Sequence, residues 1–144
     1  MRSVFLAIAA GAIFALFLYA TVGAIGYAAA LSIPQWWWSA FHSRSLGLEA
    51  FVVLGRLVAV VAVSAPFAWL VARLFGPRAA LVATAMTVAA AFLVEYPSAA
   101  SLIGNASAKR IATFGFEVLI LVASMPLLVG LLRSRPLTRR SSAP

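Results

Sequence analysis

The stretch that decides the fold runs from Gly47 to Phe75 and reads GLEAFVVLGRLVAVVAVSAPFAWLVARLF. About 20 apolar residues suffice for a helix to cross the hydrocarbon core of a membrane, and this stretch is longer than that. It nevertheless carries Arg56 well inside the apolar run. A charge at that depth is costly and needs a partner, and the only carboxylate likewise embedded in an apolar run is Glu117. We therefore expect the two helices that carry these residues to pack against each other.

The composition is that of a membrane protein. Of the 144 residues, 65% are hydrophobic and 10% are charged, whereas soluble domains average about 45–50% apolar and roughly 25% charged residues. The formal net charge of +8 comes from basic residues at the ends of apolar runs rather than from one continuous face, so nucleic-acid binding is not expected. With no Cys, no Asp and one His, the chain predicts no disulfide, no metal site and no cofactor.

Apolar runs of membrane-spanning length predict an all-α membrane protein, a four-span transmembrane helix bundle. The expected spans cover residues of about 4–31, 47–74, 78–96 and 111–132, within a single domain of residues 1–132. A basic, flexible cytoplasmic tail, residues 133–144, is expected to follow. Because Arg2 precedes the first run, a cleaved signal peptide is the competing interpretation. The run is longer than the ~7–15 residues of a signal-peptide core, which favours a retained span.

Counts of Lys and Arg in the short loops predict the orientation. With four spans, both chain ends lie on one side of the membrane, and that side carries seven basic residues against three on the other. Both termini are therefore expected in the cytoplasm. Arg outnumbers Lys ten to one, which suggests a GC-rich bacterial genome and so the bacterial inner membrane. The residues expected to attract anionic lipid are Arg133, Arg135, Arg139 and Arg140.

An aromatic-rich extracytoplasmic loop, residues 32–46, is expected between spans one and two, and it reads SIPQWWWSAFHSRSL. Its rings with polar tips are Trp36, Trp37, Trp38 and His42. Such rings favour the headgroup level of a membrane, so we expect an interfacial anchor. A lid or a ligand-contact loop is the alternative. The second outer connection, residues 97–110, is rich in Pro, Ser, Gly and Asn and is expected to be a loop.

Spans two and four share a pattern at an offset of 60 residues. Each contains Ser-x-Pro with an Arg seven residues beyond the Pro. We expect helix kinks at Pro66 and Pro126, because proline removes a backbone hydrogen bond from a helix. The shared pattern fits either duplication of a hairpin or chance between two membrane segments of similar composition, and spans one and three do not align at this offset.

Span one carries small residues along which another helix can approach closely. One strip, spaced by four, contains Gly11 with Ala15, and Ala20, Ala24 and Ala28. A neighbouring strip contains Tyr19, Gly23, Gly26 and Tyr27.

The ionisable residues in the outer half of the predicted bundle form the candidate site. Arg56 and Glu117 lie at similar depths, roughly 9–12 Å inside their spans at ~1.5 Å per residue. The residues expected to converge are Arg56, Glu117, Glu49, Glu95 and Arg110. This set fits a buried ion pair that specifies which helices pack together. It also fits an outward-facing pocket in which Arg56 holds an anionic group and a carboxylate titrates.

The sequence leaves three functions open. The first is a non-catalytic accessory or structural subunit that packs through its helices against another membrane protein or a second copy. The second is a small oligomeric transporter or a lipid- or anion-binding protein that uses Arg56 and Glu117 in an outward-facing cavity. The third, an enzyme acting on lipid, is disfavoured because His42 has no Asp to orient it and no nucleophile motif is present. We therefore do not expect an enzyme.

Overall fold

The computed structural model describes residues 2–102 and 107–134, which form helices joined by short connections. Helix α1 spans Arg2–Ala30, α2 is a short helix at Gln35–Ser39, and α3 spans Arg44–Phe75. A 3-10 turn at Gly76–Arg78 leads into α4, Ala79–Leu102, and α5 spans Ala108–Ser134. No strand occurs in these two described ranges, so the predicted all-α class is confirmed.

A chain reversal at Gly76 makes α3 and α4 an antiparallel hairpin. Gly76 follows α3 with a φ of 48°, a backbone conformation that glycine adopts without a Cβ clash. Pro77 comes next, and its ring cannot continue the preceding helix. The reversal brings Arg56 of α3 to Glu95 of α4, although the two residues lie 39 positions apart in the sequence.

Helix α5 runs parallel to α3 and antiparallel to α4. Its Ser124 meets Ser64 of α3, and its Val122 carbonyl accepts a hydrogen bond of 3.0 Å from Thr87 of α4. Helix α1 packs along α3, where the rings of Phe17 and Phe67 meet edge to face with centroids 5.5 Å apart. Within the described chain α1 touches α4 at few positions and does not touch α5. The bundle is therefore a compact group of three helices with α1 attached to one side.

The apolar core lies between the level of Arg56 and the Gly76 turn. Its largest fully buried apolar side chains are Phe17, Val60, Val71, Leu121, Met125 and Val129. The other end of the bundle consists of the first turns of α3 and α5 and the last turns of α4, and we call it the open end. No residue of the apolar core lies there in the described ranges, and a polar cavity opens between the helices at that end.

Three helical segments are long and apolar enough to cross a membrane. They are Ser3–Ala30, Arg44–Leu102 and Arg110–Ser134. The middle segment contains α3, the Gly76 reversal and α4. Large apolar side chains such as Leu81, Phe92 and Leu119 cover the outside of these helices, as expected where lipid rather than water surrounds a protein.

Some of the expected helix boundaries are wrong. Helix α4 continues through Pro97 to Leu102, where the sequence predicted a loop from residue 97, and α5 already begins at Ala108. Within the extra turn of α4, the Ser101 hydroxyl donates to the Ser98 carbonyl at 2.7 Å. Membrane helices tolerate proline because side chains and neighbouring helices satisfy the backbone groups that it leaves free. Helices α3 and α5 likewise continue through Pro66 and Pro126.

Only the start of the predicted basic tail belongs to the described residues. Arg133 lies in the last turn of α5, and its guanidinium approaches the carbonyl of Pro77 at 3.5 Å. Arg135, Arg139 and Arg140 lie outside the described residues, so the expected lipid attraction of the tail stays a prediction.

Candidate functional site

Three ionisable side chains from three helices meet toward the open end. The guanidinium of Arg56 on α3 forms ion pairs with Glu95 on α4 and with Glu117 on α5, the latter at 3.0 Å from Nη1 to Oε2. We call these residues the charge triad. The exposed fraction of the side chain is 15% for Arg56, 3% for Glu95 and 14% for Glu117. A guanidinium has five N–H donors in a planar fork, which lets it serve two carboxylates at once.

Helix geometry explains why the triad forms. Arg56 lies 20 residues before Gly76 and Glu95 lies 19 residues after it, so both are roughly 30 Å from the turn at ~1.5 Å per residue. Glu117 reaches the same depth because α5 runs parallel to α3. The sequence analysis paired Arg56 with Glu117 and expected Glu95 nearby. The structure gives Arg56 both partners, and equal distance from the Gly76 turn is the sequence signal that identifies Glu95 as the second.

Hydroxyl groups tie the same three helices together below the triad. Ser124 donates to the carbonyl of Leu121 at 3.0 Å and therefore accepts the hydrogen of Ser64, whose Oγ lies 2.9 Å away. The Thr87 hydroxyl lies within 3.1 Å of three carbonyl oxygens, two on its own helix and that of Val122 on α5. These buried contacts hold α3 and α4 against α5.

A polar cavity of about 640 Å³ opens beside the triad at the open end. Its walls come from α3, α4 and α5 together with Ser107, and they contain Glu49, Ser98, Ser101, Leu102, Arg110, Thr113, Phe114 and Glu117. Glu117 thus belongs both to the triad and to the cavity wall, whereas Arg56 and Glu95 do not line this cavity. The Ser107 hydroxyl accepts a hydrogen bond from the Arg110 backbone N–H at 3.3 Å and caps the start of α5.

An apolar groove of about 310 Å³ runs between α4 and α5 from the same region. Its walls contain Val88, Ala91, Phe92, Glu95, Tyr96, Ala99, Phe114, Val118 and Val122. Phe114 lines both the groove and the polar cavity, so the two spaces meet at its ring. From Ala99 to Val88 the groove follows α4 for about 16 Å, at ~1.5 Å per residue.

The connection between α1 and α3, residues 31–43, contains the aromatic residues and the short helix α2, and we call it the aromatic segment. It folds onto the start of α3. The indole Nε1 of Trp37 donates to the Gly47 carbonyl at 2.8 Å, and its ring contacts Phe41 and Phe51, with centroid distances of 5.1 and 5.5 Å. Trp36 is largely exposed and Trp38 is half-buried against Gly47. His42 is exposed and does not line the polar cavity. The interfacial-anchor interpretation of this segment stays a prediction.

The chemistry that this arrangement offers is charge pairing and polar binding. The residues of the two described ranges contain no group of three side chains suited to hold a metal ion. Four residues that line the polar cavity were not predicted from the sequence: Ser98, Ser101, Ser107 and Phe114. The first three were assigned to a loop, and only the serine spacing of three in 98–101 hinted at a further helical turn.

Comparison of the chain with known protein families, with curated proteins and with solved structures finds no match.

Proposed function

We propose that this protein is a non-catalytic accessory or structural subunit that crosses the bacterial inner membrane four times and packs through its helices against a membrane partner. The observation that carries the proposal is the sharing of Arg56 between two carboxylates from two other helices. A guanidinium satisfied in this way fixes the arrangement of α3, α4 and α5 and is not available to hold an anionic ligand. A buried charge cluster of this kind specifies helix packing more than it adds stability.

The dimensions of the hairpin support four crossings. Helices α3 and α4 contain 32 and 24 residues, or about 48 and 36 Å at ~1.5 Å per residue, and the hydrocarbon core is about 30 Å thick. The Gly76 end carries Arg73, Arg78 and Arg133, which supports a cytoplasmic position for that end. The Arg73 guanidinium lies 5.3 Å from the ring centroid of Trp69, a pairing suited to the membrane interface.

The unoccupied face of α1 supports a helix-packing partner. Ala24 and Ala28 of the first small-residue strip are half-buried, and a Cβ on Gly55 of α3 would lie 3.8 Å from Ala28. The neighbouring strip faces outward, and a Cβ added at Gly23 or Gly26 would meet no atom within 4 Å. Small residues at such positions let a second helix approach closely.

Tyr19 lies on this outward face and also supports a packing partner for α1. Its side chain is 83% exposed near the middle of α1, away from the ends where aromatic belts occur. A hydroxyl surrounded by hydrocarbon lacks a hydrogen-bond partner, which costs free energy. A neighbouring helix that supplies an acceptor would remove this cost.

A small oligomeric transporter is the second candidate, and the polar cavity favours it. Glu117 lines that cavity and is partly exposed. Toward the Gly76 turn, however, the interior is filled by Val60, Leu121 and Met125, each at most 1% exposed. Any pathway would therefore have to run between copies of the chain, which makes the subunit proposal the stronger one.

A site-specific photo-cross-linker in native membranes tests the subunit proposal. We would place benzoylphenylalanine at Tyr19 on α1 and, as a control, at Leu127 on α5, whose side chain is also largely exposed. We expect a single protein adduct from position 19 and none from position 127. Gly23→Ile should abolish the adduct, whereas Gly130→Ile, at an exposed glycine of α5, should not. Equal labelling from both positions, or a lone monomer after gentle extraction, would overturn the proposal.

A further inference from the structure

We propose that the open end binds a zwitterionic phospholipid that carries a primary ammonium group, with its headgroup in the polar cavity and one acyl chain in the apolar groove. The inference relies on the proposed membrane crossing of α3, α4 and α5, but not on the proposed partner of α1. It assigns an occupant to two spaces that the charge triad leaves empty.

The continuity of the two spaces points to an amphipathic ligand. The cavity is polar and the groove apolar, and both are lined by Phe114. A free polar metabolite would fill the cavity and leave the groove unused, and a hydrocarbon would do the reverse. A phospholipid matches the change in the lining from serine and charged side chains at the open end to apolar side chains, such as Val118 and Val122, further down.

The position of the cavity is right for a headgroup. It lies among the first turns of α3 and α5 and the last turns of α4, the level at which crossing helices meet the headgroup region. The groove descends for about 16 Å toward the membrane middle and its outer wall, formed by Phe92 and Tyr96, is exposed. A chain can therefore enter sideways from the bilayer without passing through the protein.

The charges in the wall select the headgroup. Glu49 and Glu117 are carboxylates, and Arg110 is the one basic side chain in the described part of the wall. Arg56, which pairs with Glu117 of this wall, is already shared by two carboxylates. A wall with this balance opposes a lipid of net negative charge and suits an ammonium group, which has three N–H donors for carboxylate oxygens.

The phosphate of such a lipid has a place at Arg110, two helical turns from Glu117 on the same face of α5. Arg110 is exposed and lies in the first turn of α5, where the helix dipole also favours an anionic group. The ammonium would then lie toward Glu117 and the phosphate toward Arg110. A quaternary choline headgroup has no N–H donor and should bind less well.

Native mass spectrometry of the purified full chain tests the proposal. The protein is equilibrated with equimolar dioleoyl lipids bearing phosphoethanolamine, phosphocholine and phosphoglycerol headgroups. We expect one bound lipid, with phosphoethanolamine favoured about tenfold, or about 1.4 kcal/mol, because its ammonium donates charge-assisted hydrogen bonds that choline cannot. Glu117→Gln should remove this preference, and Arg110→Gln, at an exposed position, should weaken the binding of both phosphoethanolamine and phosphoglycerol lipids.

The groove needs its own variants. Ala99→Leu fills the groove and should lower retention of all three lipids, whereas Ala100→Leu, at an exposed position of α4 outside the groove, should leave retention unchanged. Water-soluble glycerophosphoethanolamine should not compete. If glycerophosphoethanolamine binds as tightly as the intact lipid, the lipid assignment is wrong. A preference for the phosphoglycerol lipid, or the absence of any bound lipid, would also overturn the proposal. None of these results would bear on cross-linking from position 19.

Discussion

Ser64 on α3 and Ser124 on α5 share a hydrogen bond between their Oγ atoms, 2.9 Å apart in a buried interface. They lie 60 residues apart, the offset at which Pro66 also aligns with Pro126 and Arg73 with Arg133. Because α3 and α5 are parallel neighbours, this offset places equivalent residues at the same depth. In the proposed topology this equal depth places Arg73 and Arg133 at the same membrane interface, where basic residues are favoured.

Removal of this hydrogen bond gives the first prediction. In a double-mutant cycle of Ser64→Ala and Ser124→Ala, we expect a coupling free energy of about 0.6 kcal/mol, and at most ~1.7, the range found for hydrogen bonds between membrane helices. Unfolding in mixed micelles with increasing SDS measures it. Ser134→Ala is the control, because among the described residues the Ser134 hydroxyl donates to the Leu131 carbonyl of its own helix. A coupling free energy of zero would show that the two serines do not hold α3 to α5.

The charge triad gives the second prediction. Arg56→Met leaves Glu95 and Glu117 facing each other without a cation and should destabilise the protein by about 3–5 kcal/mol. Glu117→Gln should cost less, because Arg56 keeps Glu95 as a partner. The free energy of unfolding of each purified variant, measured by the same SDS titration, tests this order.

A triple variant separates charge from shape in this cluster. Arg56→Met combined with Glu95→Gln and Glu117→Gln removes every charge and should recover most of the stability lost by Arg56→Met alone. If Arg56→Met is no worse than Glu117→Gln, the cluster does not depend on the shared guanidinium.

Much of this arrangement could be predicted from the sequence, for a physical reason. Apolar runs of this length have few options other than membrane helices, and a charge inside one must find a counter-charge at the same depth. The pairing of Arg56 with Glu117 could therefore be predicted from the sequence alone.

The helix ends were harder to predict. Pro97 looked like a boundary because proline usually ends helices in water, yet α4 continues to Leu102 and places Ser98 and Ser101 in the cavity wall. The sequence also does not show which small-residue strip of α1 packs against α3. Both strips contain small residues, and the choice depends on how Ala28 fits against Gly55.

Two fully buried threonines give the third prediction. The Thr21 hydroxyl on α1 has no hydrogen-bond partner among the described residues, whereas Thr87 reaches the Val122 carbonyl on the neighbouring helix. Thr21→Val removes an unsatisfied polar group and should stabilise the protein by about 1 kcal/mol. Thr87→Val should destabilise it by about 0.6 kcal/mol. The change from threonine to valine should therefore raise stability at position 21 and lower it at position 87. Thermal unfolding in detergent measures both changes. Equal effects would contradict the hydrogen-bond assignment.

The proposed topology gives the fourth prediction. The chain has no cysteine, so the labelling of a single introduced cysteine shows on which side of the membrane that residue lies. In spheroplasts, a membrane-impermeant maleimide should label Ser39→Cys, in the aromatic segment, but not Arg78→Cys or Ser134→Cys at the Gly76 end. All three should react after lysis. Labelling of Arg78→Cys before lysis would show that α3 does not cross the membrane as proposed.

Gly47 gives the last prediction, because the aromatic segment packs directly on its backbone. A Cβ at this position would lie 3.3 Å from ring atoms of Trp38 and 3.4 Å from Phe41. Gly47→Ala demands a shift of a few tenths of an ångström, while Gly47→Leu must displace Trp38. We expect Gly47→Leu to increase acrylamide quenching of tryptophan fluorescence clearly and Gly47→Ala to increase it little.

Gly115→Leu is the matched control for this experiment, since a Cβ at Gly115 meets no atom within 4 Å. Trp37→Phe should reproduce part of the effect, because it removes the hydrogen bond to the Gly47 carbonyl, at a cost of about 1 kcal/mol. Three of the four tryptophans lie in this segment, so the signal reports mainly on it. If Gly47→Leu and Gly115→Leu quench alike, the aromatic segment is not held against α3.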